Sequence, residues 1–196
     1  MGKIICLLGI PGSGKTTLGK FLMTEFGYPF YEEKFDTISS VSREREAEAS
    51  NFEKCIGFLN IRYDQMQKAQ SCETELTFVD TCFEMTEIYS RLLLNEEEMK
   101  EFRKNFNIVN SFVVKPDLYV FLTGDTDIIL KRATDRNLGL DLENTFLNTE
   151  VLNDSSHKIQ TFLQDKNYIE VDVTSIDLRE KDSVKDLIKT VHQRVG

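Results

Sequence analysis

The residues Gly9-Ile10-Pro11-Gly12-Ser13-Gly14-Lys15-Thr16 decide the fold of this chain. They follow a short apolar run over residues 3–8, which is typical of a strand buried on both faces of a parallel sheet. After them, Leu18, Leu22 and Phe26 recur at helical spacing. A Gly-x-x-x-x-Gly-Lys-Thr motif between a strand and a helix has the context of a phosphate-binding loop, and an ordinary glycine turn explains it poorly.

The chemistry of such a loop predicts which residues hold a nucleotide. Glycines let successive backbone N–H groups turn toward an anion, and the helix that follows adds its positive end. We expect Lys15 to reach the β- and γ-phosphates of ATP and the Thr16 hydroxyl to bind Mg²⁺. Asp80, which follows an apolar run, is the expected second group at the metal, although a simple turn residue is an alternative. The predicted cofactor-binding residues are Gly9, Pro11, Gly12, Ser13, Gly14, Lys15, Thr16 and Thr17.

Along the rest of the chain, apolar patterns typical of strands alternate with patterns typical of helices. Besides the first strand and helix, strands are predicted at residues 28–31, 76–79, 117–122 and 168–173, and helices at 42–69, 84–106, 125–136 and 182–196. This alternation predicts an α/β three-layer P-loop NTPase fold, with a mostly parallel five-stranded sheet flanked by helices. With 196 residues, 40% of them hydrophobic, one domain over residues 1–196 is expected.

Composition argues against several classes of partner. The net charge of −9 repels a nucleic-acid backbone, so no nucleic acid is expected as a partner. The longest apolar run is far shorter than the roughly 20 residues that span a bilayer, so no membrane segment is expected. The 4 cysteines lack metal-ligand spacing, and no signal peptide is recognised, which predicts reduced thiols and a cytoplasmic location.

Several separated segments resemble the deoxynucleoside kinase family over most of the chain. Phe30-Tyr31-Glu32-Glu33 is similar to its Tyr-Glu-Pro-Val stretch, and Phe58-Leu59-Asn60-Ile61-Arg62 to its Phe-Leu-x-x-Arg helix. The segment from Asp80 to Arg91 resembles the one opening with Asp/Glu-Arg-Ser, residues 132–136 resemble the arginine-rich lid, and Leu142-Glu143 with Glu150 resembles the helix after it. The resemblance implies ATP-dependent phosphoryl transfer to the 5′-hydroxyl of a deoxynucleoside or related nucleoside.

The resemblance also implies roles for particular residues. Glu32 would be the general base, and Arg62 would lie near the reacting hydroxyl. A short helical lid around residues 132–142 would bring Arg132 and Arg136, which share a helix face, to the phosphates beside Lys15. The alternative is that Glu32 and these arginines are ordinary exposed charged residues with no role in catalysis. A homodimer is also implied, and the apolar stripe over residues 52–66 permits it.

Departures from the family lie at the positions that read the substrate. Cys55 stands where the family has a glutamine, Thr81 replaces an arginine, and Thr86 stands where an aspartate is common. Asp141 is a candidate for holding the sugar. The predicted substrate-binding residues are Glu32, Cys55, Arg62, Asp80, Thr81, Thr86 and Asp141. Three functions stay open: a nucleoside kinase, a nucleoside monophosphate or other small-molecule P-loop kinase, and a catalytically weakened nucleotide-binding regulatory module.

Overall fold

A five-stranded sheet forms the centre of the molecule in a computed structural model that describes residues 2–33, 49–135 and 148–196. The strands are β1 (Lys3–Leu8), β2 (Phe30–Tyr31), β3 (Leu76–Asp80), β4 (Leu118–Thr123) and β5 (Tyr168–Asp172). Their order is β2-β3-β1-β4-β5, and every pairing is parallel. β1 is the central strand of this order. The glycine loop follows the carboxyl end of β1, so it lies in the middle of the edge that the carboxyl ends of the strands form.

Seven helices in the described residues flank the sheet. They are α1 (Lys15–Phe26), α2 (Asn51–Gln70), α3 (Met85–Leu93), α4 (Glu96–Asn110), α5 (Thr126–Asp135), α6 (Thr149–Leu163) and α7 (Lys181–Val195). α1 packs on β1, β2 and β3, and α7 packs on β4, while α2 contacts β2 and β3 and is covered by α3 and α4. The predicted three-layer α/β architecture is confirmed. Within the residues described, no helix is long and apolar enough to cross a membrane.

The three inner strands form the core and fix the register of the functional edge. All side chains of β3 and all but the first of β1 are buried. Leu7 of β1 lies opposite Asp80 on one side and Val120 on the other. Asp80 therefore lies level with Leu7, two residues before the glycine loop starts at Gly9, and its carboxylate reaches Thr16 in α1.

The predicted single helix over residues 84–106 is wrong: two helices lie there, separated at Leu94 and Asn95. The Asn95 side chain accepts bonds from the N–H groups of Glu97 and Glu98, both at 3.0 Å, and the Glu98 carboxylate accepts one from the Asn95 N–H at 3.0 Å. This capping box starts a new helix. Glu96, Glu97 and Glu98 thus form the first turn of α4, where negative charge stabilises the positive end of the helix.

The other long predicted helix begins later than expected in the described chain. Ser50 caps α2 with a capping box to Glu53, and residues 42–48 of the predicted helix lie outside the described residues. The apolar stripe of α2 packs against the chain's own core, with Leu59 and Met66 fully buried. Glu150, which the resemblance placed on the helix after the lid, lies in the first turn of α6.

Candidate active site

The glycine loop connects β1 to α1 in a conformation that needs glycine. Gly12 and Gly14 have φ angles of 85° and 95°, in the left-handed region. A Cβ atom on Gly12 would lie 2.5 Å from the Ile129 carbonyl oxygen, so α5 packs directly on the loop backbone. Gly14 is the N-cap of α1 and provides no side-chain cap, so the positive end of this helix begins directly at the loop.

The predicted cofactor-binding residues all lie in this loop and the first turn of α1. The Lys15 ammonium crosses the loop and donates to the carbonyl oxygens of Gly9 at 2.9 Å and Ile10 at 3.3 Å. Ser13 is fully buried, and its hydroxyl has no hydrogen-bond partner among the residues that the structure covers. An unpaired buried hydroxyl is costly and points to a ligand atom beside the loop.

Thr16 and Asp80 meet at the carboxyl edge of the sheet. The Thr16 hydroxyl donates to Oδ2 of Asp80 at 2.9 Å, and the Thr81 hydroxyl donates to Oδ1 at 3.2 Å. Hydroxyl and carboxylate oxygens beside a phosphate loop are the donors that Mg²⁺ takes when substrate phosphates complete its shell, so the residues fit this ion. The described residues contain no cluster of three or more His, Cys, Asp or Glu side chains able to hold a metal by themselves.

A buried ion pair lies next to this group. Arg62 on α2 donates from Nε and from one terminal nitrogen to the same carboxylate oxygen of Glu33, each at 2.7 Å. Only 5% of the Arg62 side chain and 9% of the Glu33 side chain are exposed. Its guanidinium carbon lies 5.7 Å from the ring centres of both Phe58 and Tyr89. These contacts hold the guanidinium in one place between α2 and α3.

Burial dominates the titration of Glu33. Desolvation raises the pKa of its carboxyl above the ordinary value of 4.5, and the nearby negative charge of Asp80 adds to the rise. The positive charges of Arg62 and Lys15 oppose this shift without cancelling it. Glu33 is therefore close enough to both the loop lysine and Asp80 for their charges to act on it. Such a carboxylate is a better proton acceptor than one in water.

Glu32, the predicted general base, lies in a different environment from Glu33. Its carboxylate pairs with the Lys20 ammonium of α1 at 2.9 Å, and 31% of its side chain is exposed. The two adjacent glutamates have different partners: Glu32 pairs with α1 and Glu33 with α2.

The positions predicted to read the substrate are mostly engaged within the protein. Thr86 is buried, and its hydroxyl accepts a bond from Arg62 at 3.0 Å. Cys55 is also buried, and burial raises the pKa of its thiol, against a smaller opposing effect of a hydrogen bond to Ser90. The side chains of Cys55 and Thr86 are thus used to hold α2, α3 and Arg62 in place.

The predicted lid is described only in part. Arg132 lies on α5 and donates to the carbonyl oxygen of Val173, which follows β5, at 3.0 Å. Its neighbour Ala133 packs on Gly12, so this part of α5 touches the glycine loop. Arg136 and Asp141 lie outside the described residues.

Glu33, Tyr89 and Phe58 were not among the predicted site residues. Both rings sit three or four residues from Arg62 or Thr86 along the helices, a spacing that places them on the same helix face. The helical spacing could therefore have predicted the positions of the two rings. The position of Glu33 depends on the pairing register of β2, which cannot be read from the sequence.

Comparisons with known proteins agree with this geometry. A family model described as an AAA domain matches residues 4–179. No match was found among curated proteins. Among solved structures, deoxyadenosine kinase from M. mycoides with the products dCMP and a flexible dCDP bound is similar over 97% of this chain and 99% of that chain, with a TM-score of 0.76 and 18% identity.

Two further solved structures are similar to the chain. The same kinase with bound dATP covers 96% of this chain and 99% of that chain, with a TM-score of 0.74 and 17% identity. NadR protein in complex with NR covers 100% of this chain but 50% of that chain, with a TM-score of 0.68 and 18% identity. The likeness to deoxynucleoside kinases predicted from the sequence is thus confirmed for the fold.

Proposed function

Because the chain belongs to the AAA-domain family, a family of P-loop proteins, we propose that it is a kinase that transfers the γ-phosphoryl group of ATP to a hydroxyl group of a nucleoside-like acceptor. The observation that carries this proposal is the buried carboxylate of Glu33 beside the charges of Lys15, Asp80 and Arg62. A module that only binds a triphosphate needs the loop. It has no use for a desolvated proton acceptor next to it.

The loop and the sheet edge supply the groups that bind the donor. The backbone N–H groups of the loop and the Lys15 ammonium bind the phosphates of ATP, and Thr16 and Asp80 hold Mg²⁺. Magnesium, when bound, neutralises charge on the phosphate oxygens. Arg132, together with Arg136 on the predicted lid, adds positive charge as the phosphoryl group moves. This assignment is supported by the 2.9 Å bond between Thr16 and Asp80 and by the packing of α5 on the loop.

Glu33 is the better candidate for the general base, with Glu32 as the alternative. In the proposed step the acceptor hydroxyl gives its proton to the carboxylate, its oxygen bonds to the γ-phosphorus, the bond from that phosphorus to the β-phosphate oxygen breaks, and ADP leaves. A raised pKa strengthens Glu33 as a base. The positive charge of Arg62 opposes this rise in the pKa of Glu33 and favours the ionised carboxylate. Glu32 differs in being more exposed, with 31% of its side chain open to solvent against 9% for Glu33.

Paired amide substitutions separate the two glutamates. We expect Glu33→Gln to lower kcat by about a hundredfold or more, the usual effect of removing a general base, with little change in ATP affinity. Glu32→Gln, the matched control, should stay within about twofold of wild type, because it removes only an exposed ion pair. Loss of turnover in Glu32→Gln with normal turnover in Glu33→Gln would assign the base to Glu32 instead.

The acceptor class is supported by the ligands of similar structures. The M. mycoides kinase structures contain deoxynucleotides, and the NadR structure contains NR. The replaced residues Cys55, Thr81 and Thr86 argue for an acceptor other than the usual deoxynucleosides, and a nucleoside monophosphate is the main alternative. Asp141 is the proposed contact to the acceptor sugar. γ-Labelled ATP should be offered with deoxynucleosides, ribonucleosides, NR and their monophosphates.

This panel also tests whether the protein is an enzyme at all. A labelled product from one acceptor supports the kinase and identifies its substrate. ATP binding by calorimetry without a product from any acceptor would favour the regulatory module. Failure to bind any triphosphate would overturn both functions.

A further inference from the structure

Thr81 has an unfavourable backbone conformation at the edge of the site. Its φ angle is 69°, and among the described residues it is the one non-glycine residue with a positive φ. A residue branched at Cβ is poorly suited to this region, because the side chain approaches the following carbonyl group. Strained residues of this kind concentrate at functional sites, where their side chain or direction is needed.

The conformation of Thr81 turns the chain back against the sheet directly after β3. Its N–H donates to the Leu7 carbonyl oxygen at 3.1 Å, and the next two residues, Cys82 and Phe83, are fully buried. The turn alone does not explain a threonine, since glycine makes the same turn without strain. What threonine adds is a hydroxyl group, and that hydroxyl donates to Oδ1 of Asp80 at 3.2 Å.

Both oxygens of Asp80 are therefore held by hydroxyl donors from two directions. Thr16 in α1 holds Oδ2, and Thr81 holds Oδ1. Asp80 and Thr81 are 4% and 5% exposed, so water does not readily replace either bond. Without the Thr81 bond, the carboxylate could rotate about its last torsion, which has a broad energy profile.

We propose that Thr81 is a positioning residue: its hydroxyl fixes the plane of the Asp80 carboxylate so that this group meets the magnesium ion of the bound triphosphate. The chain retains threonine in a strained conformation for the sake of this bond. The inference rests on the proposed function, because it assigns Asp80 to the metal. It differs from the sequence prediction, in which Thr81 contacts the substrate.

Three substitutions of Thr81 separate the effect of its hydroxyl group from the effect of its strained backbone. Thr81→Ser keeps the hydroxyl, Thr81→Ala removes it with a similar backbone cost, and Thr81→Gly removes both the hydroxyl and the strain. We expect Thr81→Ser to bind ATP in magnesium within about twofold of wild type. Thr81→Ala and Thr81→Gly should bind it about tenfold more weakly, as expected for a lost hydrogen bond to a charged group. Thr81→Gly should nevertheless melt at a higher temperature than Thr81→Ala.

Calorimetry with ATP in magnesium and with ATP in a chelator distinguishes positioning from general damage. Loss confined to the magnesium condition supports the inference, whereas equal loss in both conditions would overturn it. Wild-type affinity of Thr81→Ala in magnesium would also overturn it while leaving the kinase proposal intact. If the wild-type protein binds no triphosphate, the proposed function fails, and this inference fails with it.

Discussion

Removing the Arg62 guanidinium should destabilise the protein strongly, and the cause should be the charge left on Glu33. In Arg62→Leu the Glu33 carboxylate loses both of its 2.7 Å contacts while 91% of its side chain stays out of water, given 9% exposure. Breaking a buried ion pair by removing one partner costs about 3–5 kcal/mol. Against a total stability of about 5–15 kcal/mol for a typical domain, this loss is large.

A surface ion pair provides a control for this experiment, at Glu87, which pairs with both Arg91 and Arg103. Arg91 and Glu87 also form an ion pair at 2.7 Å through the same kinds of atoms, but their side chains are 52% and 25% exposed. Arg91→Leu should change the free energy of unfolding by less than about 1 kcal/mol. The double variant Arg62→Leu/Glu33→Leu should regain most of the loss, because replacing both buried charges by apolar groups leaves neither unpaired.

The loss in Arg62→Leu should depend on pH in a defined direction. Glu33 holds its proton more tightly in the folded than in the unfolded protein, so stability falls as the pH rises from 4.5 through the folded pKa. Without the guanidinium the folded pKa rises further, and the fall becomes larger. The deficit relative to wild type should therefore be small near pH 4 and grow toward neutral pH.

Urea unfolding monitored by circular dichroism at several pH values measures this deficit directly. The midpoint should move while the slope with urea concentration stays constant. If Arg62→Leu costs no more than Arg91→Leu at pH 7, or if its deficit is independent of pH, the buried-charge reasoning is refuted.

Two further predictions concern the loop lysine and the helix cap. Lys15→Ala should lower the rate of phosphoryl transfer by at least about a hundredfold, because it removes charge stabilisation at the transferred group, and its melting temperature should stay close to wild type; an unchanged rate would contradict the role of Lys15. Asn95→Ala should lower the free energy of unfolding by about 1 kcal/mol through loss of the α4 cap, whereas Asn105→Ala, within the same helix, should cost less in the same urea titration. Equal losses in the two asparagine variants would argue against the cap.

The sequence predicted the sheet, the loop and Asp80 because each leaves a local signal. A glycine loop between an apolar strand and a helix is readable without any knowledge of distant contacts. The break between α3 and α4 was missed although it also leaves a local signal. Asn95 with Glu98 three residues later has the spacing of a capping box, which starts a new helix.

The choice between Glu32 and Glu33 shows a second limit of the sequence. Two like residues in succession leave no compositional difference, and only the pairing of the preceding strand determines which one points to α2. The internal use of Cys55 and Thr86 was equally hidden, since it depends on how α2 and α3 face each other. Local patterns therefore predicted the positions of the glycine loop and Asp80 better than the contacts of Glu33, Cys55 and Thr86.

Because β2 is so short, the number of residues between this strand and Glu33 matters more than the identity of those residues. Two residues, Phe30 and Tyr31, join it to β3, and the glutamates follow at once. Deleting a single amino acid between Tyr31 and Glu33 would turn the remaining carboxylate toward Lys20 and deprive the buried guanidinium of its counter-charge. Natural variants should hence tolerate exchanges of side chain here far better than changes in the count of residues.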